Sequence, residues 1–124
     1  MHQRGIMTFP VSVTFRDMDT SPSVEMFTRR WASRLERVDA RVLRCDVTIE
    51  RPHKHHERGN RFRVRVVVAV PGNDIIVSHD PGEDGAHGDV RVAVRDSFRA
   101  ARRQLEDFAR KQRSHSVALA PARG

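Results

Sequence analysis

The residues that most constrain the fold are the apolar alternation in "RFRVRVVVAV", Arg61 to Val70, and the short run "IIVSH" that follows it. Alternation with a period of two is typical of a strand with one buried face. The residues "PGND" between the two runs are a turn signal, because proline and glycine preset the backbone angles of tight turns. The chain is therefore predicted to contain an antiparallel hairpin, around which the remaining segments complete a sheet.

Two further runs show the same alternation. The apolar residues of the first are Met7, Phe9, Val11, Val13 and Phe15, and those of the second are Leu43, Cys45, Val47 and Ile49. Pro10 lacks an amide donor, so it should mark the start or the edge of the first strand. We expect this second run to pair antiparallel with the run Arg61 to Val70. In the expected register Ile49 lies opposite Phe62, Val47 opposite Val64 and Cys45 opposite Val66. On the other face of the sheet the same register places Glu50 opposite Arg61 and Asp46 opposite Arg65.

Two segments have helical spacing instead. Ser21 is a good N-cap and Pro22 suits the first helical position. The apolar stripe that follows consists of Val24, Phe27, Trp31, Leu35 and Val38. Asp89 is predicted to cap a second helix, with a stripe of Val90, Val94, Phe98, Ala101, Leu105 and Phe108. The order β-α-β-β-β-α predicts an α+β fold, a four-stranded, mainly antiparallel sheet with both helices on one face.

A chain of 124 residues is expected to form one domain. We assign residues 1–8 to an N-terminal segment and 9–113 to the α+β domain. From Ser114 the apolar pattern stops, so residues 114–124 are predicted to be a disordered tail.

The formal net charge is +7, and most of the excess is arginine, whose planar guanidinium suits phosphate. Nucleic acid is therefore the first partner to consider, and an acidic protein or an anionic membrane the second. No run of about 18 apolar residues is present, and "MHQRGIMTFP" lacks the apolar segment of a secretory signal. We expect a cytoplasmic protein that does not insert into membranes.

The charges are segregated along the chain. Residues 89–113 hold eight basic and four acidic side chains, whereas residues 74–89 hold five acidic side chains and no lysine or arginine. On a helical projection Arg91, Arg95, Arg99, Arg102 and Arg113 fall in one sector beside the apolar stripe, and Arg30, Arg34 and Arg37 flank the stripe of the first helix. Two helices side by side would present these sectors around a common groove. The alternative is a solvated face with pairs such as Arg102 and Glu106.

Other residues have side chains of the types found in metal or catalytic sites, but their positions in the sequence do not favour such a site. His53, His55 and His56 are metal-ligand types, but a hairpin tip holds ligands poorly, so no metal is predicted. Cys45 lies in an apolar alternation and is expected to be a buried structural thiol. His79 is expected to be a partly buried structural residue. No nucleotide-binding loop or nucleophile motif occurs, so we expect neither an enzyme, nor a cofactor, nor a small-molecule substrate.

With this element order, the turn and strand "VPGNDIIV", and the final helix "DVRVAVRDSFRAARRQLEDF" with its Arg103, Gln104 and Leu105, the chain resembles the ribosome hibernation factors. These ribosome-associated translation inhibitors are also known as sigma-54 modulation proteins. The resemblance covers roughly residues 9 to 113.

The resemblance implies a double-stranded-RNA-binding-like fold. It also implies that the protein binds the 30S subunit and the 70S ribosome, where it contacts 16S rRNA in the channel used by mRNA and tRNA. Binding there would block translation. It implies a short form without the dimer-forming domain of longer members, and its effect on ribosome dimerisation stays open. The expected rRNA-binding residues are Arg30, Arg34, Arg37, Arg91, Arg95, Arg99, Arg102 and Arg103.

This chain departs from the family pattern in one respect. Ala100 and Ala101, preceded by Arg99, stand where the family often has lysine, so the contact set is open. Two other functions compete with ribosome binding: a protein-interaction module that modulates a transcription factor, and a general RNA-binding or DNA-binding protein.

Overall fold

The computed structural model describes residues 9–51, 62–79 and 89–119, without the side chains of residues 79 and 115–119. The elements follow the predicted order. They are strand β1 (Val11–Arg16), helix α1 (Pro22–Ser33) with a 3-10 turn (Arg34–Arg37), strands β2 (Arg44–Glu50), β3 (Arg63–Val70) and β4 (Asn73–His79), and helix α2 (Val90–Leu119).

The four strands form one sheet in the order β1-β2-β3-β4. Strand β1 is parallel to β2, while β2 with β3 and β3 with β4 are antiparallel. A parallel pair needs a crossover connection, and α1 supplies it. The α+β class and the mainly antiparallel sheet are thus confirmed.

The predicted pairing of β2 with β3 is wrong by two residues. Val47 lies opposite Val66 rather than Val64, and Cys45 lies opposite Val68 rather than Val66. Side chains alternate with a period of two, so a shift of two residues leaves every side chain on the same face of the sheet. Apolar alternation therefore determines which face is buried, but it does not distinguish registers that differ by an even number.

The hairpin between β3 and β4 has the predicted turn. Val70 pairs with Asn73, which leaves Pro71 and Gly72 as its two central residues. Gly72 has a φ of 77°, in the left-handed region that only glycine adopts without strain. The Pro-Gly dipeptide thus determines where β3 ends.

Helix α1 begins at the predicted cap, since the Ser21 Oγ accepts a hydrogen bond from the Val24 amide at 3.3 Å. Its most buried side chains include Thr28, whose hydroxyl donates to the Val24 carbonyl at 2.8 Å, and Ala32. Phe27 and Trp31, predicted to lie on the core face, are partly buried at its margin. The core-facing stripe is therefore turned slightly from the predicted one towards smaller residues.

Helix α2 also begins as predicted, because the Asp89 Oδ1 accepts a hydrogen bond from the Arg91 amide at 2.9 Å. Its buried face includes Val94, Phe98 and Leu105. The predicted end at Arg113 is wrong: the backbone stays helical to Leu119, because a helix continues past its last core contact where no proline or glycine stops it. Residues 120–124 lie outside the described residues, and the domain limits stay a prediction.

Both helices cover the same face of the sheet. Helix α2 packs on β3 and β4, helix α1 packs on β1, and the two helices contact each other. Arg29 joins α1 to the sheet, because its Nη1 donates to the Val11 carbonyl at 2.7 Å. The core lies between the two layers, and the opposite face of the sheet carries no helix within the described residues.

Candidate nucleic-acid interface

The two helices run side by side in the same direction. Near their starts, the Arg91 Nη2 donates to the Ser23 Oγ at 3.2 Å. Beyond the 3-10 turn that follows α1, the guanidinium of Arg41 lies 5.5 Å from the centre of the Phe108 ring, about two thirds of the way along α2. Since contacts join the two segments at both places, the outer flanks of α1 and α2 belong to one surface.

The predicted arginines of the first helix are all exposed. The Arg34 guanidinium lies 4.4 Å from the centre of the Trp31 ring, a cation–π contact that orients it. The Arg30 Nη2 is 3.7 Å from the Met26 sulfur. Arg37 ends the 3-10 turn. Within the described residues none of these three arginines forms an ion pair, so their charges are available to a partner.

Three of the predicted arginines of α2 already have contacts within the protein. Arg91 bonds to α1, and its guanidinium lies 5.4 Å from the centre of the Phe27 ring. Arg95 pairs with Asp96 at 3.2 Å, and Arg102 pairs with Glu106 at 3.0 Å. The pair of Arg102 and Glu106 is the one that the solvated-face alternative anticipated.

Arg99 and Arg103 differ from these three. Both side chains are exposed, and in the part of the chain that the structure describes neither forms an ion pair. A spacing of four residues places them on neighbouring turns of the helix. They point further from the sheet than Arg91 does, because buried Ala101 and Leu105 mark the opposite side of α2. Arg99 and Arg103 are therefore the most available charges of α2.

A second group of arginines was not singled out from the sequence. Arg16, Arg63 and Arg65 lie on the sheet face away from the helices, around a cleft that Thr48, Glu50 and Ser78 complete. The alternation of β3 was the signal that could have identified them, since Arg63 and Arg65 occupy its polar positions.

Cys45, the cysteine of the described residues, is not an activated nucleophile. Burial, aided by the nearby Asp46, raises the pKa of the Cys45 thiol to about 12, as expected for a structural cysteine. Among the described residues no three histidine, cysteine or acidic side chains converge as a metal site would require. His53, His55 and His56 lie outside the described residues, as does the side chain of His79. The described helices include none that is both long and apolar enough to cross a bilayer.

These features define a class: a small α+β domain in which two parallel, arginine-rich helices cover one face of a four-stranded sheet. The chain belongs to the sigma 54 modulation protein / S30EA ribosomal protein family, whose sequence model matches residues 11–113. The expected resemblance is thereby confirmed. This is a family of ribosome-associated proteins and is not known as a family of enzymes.

Solved structures share the fold. The N-terminal domain of Protein Y from Thermus thermophilus is 15% identical with a TM-score of 0.61, over 78% of this chain and 94% of that one. A ribosomal subunit interface protein from Coxiella burnetii is 16% identical with a TM-score of 0.62, over 81% of this chain and 97% of that one. No curated protein matches the sequence.

Proposed function

We propose that the protein binds the small ribosomal subunit in the channel used by mRNA and tRNA, and that it inhibits translation by occupying that channel. The 16S rRNA would be bound by the helix-face arginines, which we define as Arg30, Arg34, Arg37, Arg91, Arg95, Arg99, Arg102 and Arg103. Family membership supports association with the ribosome, and hence a cytoplasmic protein.

The observation that carries the proposal is the parallel packing of α1 and α2, which gathers arginines from two segments about 60 residues apart in sequence onto one surface. RNA backbones offer closely spaced phosphates, and each arginine that contacts one releases a condensed counterion. A surface that follows phosphates requires no chemistry on the RNA. It also needs no base reading, in keeping with recognition of folded RNA by shape and backbone.

The aromatic residues favour backbone contact over base stacking. Trp31 is half-buried, and the Arg34 guanidinium lies over its ring. A stacking platform for single-stranded bases needs a free aromatic face. Trp31 instead holds Arg34 in place, so the ring acts through the cation that it orients.

Co-sedimentation with 30S subunits and 70S ribosomes tests the proposal directly. The protein should pellet with the subunit at about one copy per ribosome, resist excess duplex RNA as competitor, and dissociate as salt rises. Loss to any duplex RNA would indicate a general RNA-binding protein. Absence from the pellet would contradict the proposal, and a salt-dependent preference for an acidic transcription factor would favour the protein-interaction alternative.

A charge-reversal variant tests the surface itself. Arg95→Glu with Arg102→Glu should abolish binding, because each new carboxylate joins an existing one, Asp96 or Glu106. Its matched control is Arg44→Glu with Arg51→Glu, which reverses two exposed charges at the two ends of β2, outside both helices. Both variants should unfold cooperatively at a midpoint temperature close to that of the wild-type protein. If they do, equal binding of the two variants would refute the helix-face assignment.

A further inference from the structure

The face of the sheet away from the helices holds a compact group of polar side chains at one end. This group, the sheet-face patch, surrounds a cleft of about 370 Å³. Its members come from all four strands and share that end of the sheet. They are Arg16, Thr48, Glu50, Arg63, Arg65 and Ser78.

The strand register arranges these side chains in two rows. In the first, Arg16 is opposite Glu50, which is opposite Arg63. In the second, Arg65 lies between Thr48 on one side and Ser78 on the other. Neighbouring strands are about 4.8 Å apart, so each row places polar side chains at a regular interval across the sheet. Arg65 is thereby flanked by two hydroxyls.

The patch has an excess of positive charge. Three guanidinium groups face one carboxylate, and Glu50 is largely buried, with its side chain 18% exposed, where it pairs with the Arg63 Nη1 at 3.3 Å. Arg16 and Arg65 are both exposed, and neither forms an ion pair within the described residues. Two cations beside two hydroxyls are thus left to bind an anion.

Guanidinium and hydroxyl groups together are the usual protein ligands of phosphate oxygens. A protein partner would be expected to need an apolar or aromatic centre, since protein interfaces are depleted of charge at their core. Every side chain that lines this cleft is polar or charged. The chemistry of the patch therefore favours a phosphate backbone over an acidic protein.

We propose that the sheet-face patch binds the phosphates of a second RNA segment, so that the protein contacts rRNA from both faces of its sheet. This inference rests on the proposed ribosome binding and extends it. The helix face and the sheet face lie on opposite sides of the two-layer fold, so one straight RNA helix cannot contact both. Two RNA segments with a cleft between them can.

Neutralisation of the patch tests the inference. Arg16→Gln with Arg65→Gln removes two exposed charges and leaves the pair of Glu50 and Arg63 intact. Binding to 30S subunits should weaken, and the slope of log K against log salt should fall by about 1.4 to 1.8, at about 0.7 to 0.9 for each phosphate contact. The control Arg44→Gln with Arg110→Gln removes the same charge outside the sheet-face patch, because Arg44 lies at the other end of the sheet and Arg110 lies on α2. Both arginines already pair with carboxylates, Asp46 and Asp107, so the slope should fall less than in the patch variant.

A tethered cleavage reagent identifies what lies beside each face. Cys45 is buried, so a cysteine introduced at Thr14→Cys, on the sheet face, or at Met26→Cys, on α1, can be labelled selectively with an iron chelate. Both labelled proteins should cleave 16S rRNA, and the segment cleaved from position 14 should differ from the segment cleaved from position 26.

The outcomes separate the two proposals. If the wild-type protein does not bind 30S subunits, the proposed function fails and the sheet-face inference fails with it. If it binds, but the Arg16 and Arg65 variant matches the control, the sheet-face inference alone is overturned. Weaker binding by that variant without rRNA cleavage from the position of Thr14 would assign the patch to a ribosomal protein and would also overturn the RNA assignment.

Discussion

The arginines of α2 divide into paired and unpaired groups, and this division predicts unequal contributions to RNA binding. Arg99 and Arg103 are exposed without an ion pair within the described residues. Arg95 and Arg102 hold carboxylates at 3.2 and 3.0 Å. An arginine that binds phosphate must share or release its carboxylate, and that carboxylate also repels the RNA. We therefore expect the unpaired arginines to contribute more per residue.

The magnitude follows from counterion release. Arg99→Gln with Arg103→Gln removes two full phosphate contacts, so the slope of log K against log salt should fall by about 1.6. Over a fourfold change in salt concentration, the ratio of wild-type to variant affinity should then change roughly tenfold. Arg95→Gln with Arg102→Gln removes two cations whose local charge is already offset, so the slope should fall by about half as much. The pairs themselves stabilise the fold by about 0.2 to 1 kcal/mol each, too little to unfold either variant.

The measurement is 30S binding by both variants across a salt series, at matched concentrations and with thermal unfolding as the control for folding. An equal or larger loss in the Arg95 and Arg102 variant would refute the reasoning, because it would mean that the carboxylates do not limit the availability of their partners. The same titration distinguishes the loss of phosphate contacts from a disturbed fold, since only the loss of phosphate contacts changes the slope of log K against log salt.

Three further predictions concern the fold. Phe98 is only 1% exposed, so Phe98→Ala should lower the free energy of unfolding by about 3 to 5 kcal/mol, measured by urea denaturation. Asp39 accepts hydrogen bonds from the Arg41 amide, Nε and Nη2 at 2.8 to 3.0 Å, which lower its pKa, so Asp39→Asn should cost about 1 to 3 kcal/mol at pH 7. This stabilisation is present above the unfolded carboxyl pKa near 3.9 and is lost as pH falls through the lower folded value, so the difference between wild type and variant should shrink in acid. Cys45, with its pKa raised to about 12, should resist iodoacetamide at pH 8 until urea unfolds the protein; rapid alkylation of the native protein would contradict its burial.

Several parts of the fold followed from local chemistry in the sequence. Ser21 and Asp89 cap their helices because a short side-chain oxygen before a helix satisfies amides that have no partner inside it. Gly72 permits the turn between β3 and β4 because it lacks a Cβ. Such signals act over three or four residues, so the sequence displays them directly.

The sequence did not predict which arginines of α2 are available to a partner. The sequence placed Arg91 and Arg99 in one sector of α2, yet Arg91 contacts Ser23 and Phe27 of α1, whereas Arg99 faces solvent. A helical projection gives the direction of a side chain, but it contains no information about the neighbouring helix. The packing of α1 against α2 decided that Arg91 is held within the protein and that Arg99 is not.

By itself, the sequence determined the order of the elements, the face of each that is buried and the excess of arginine. It did so because periodicity and capping are properties of a single segment. The tertiary structure decided the register of β2 with β3, the parallel course of the two helices and the assembly of the sheet-face patch around Arg65. These depend on pairings between distant segments, where a shift of two residues preserves every local pattern but changes every neighbour.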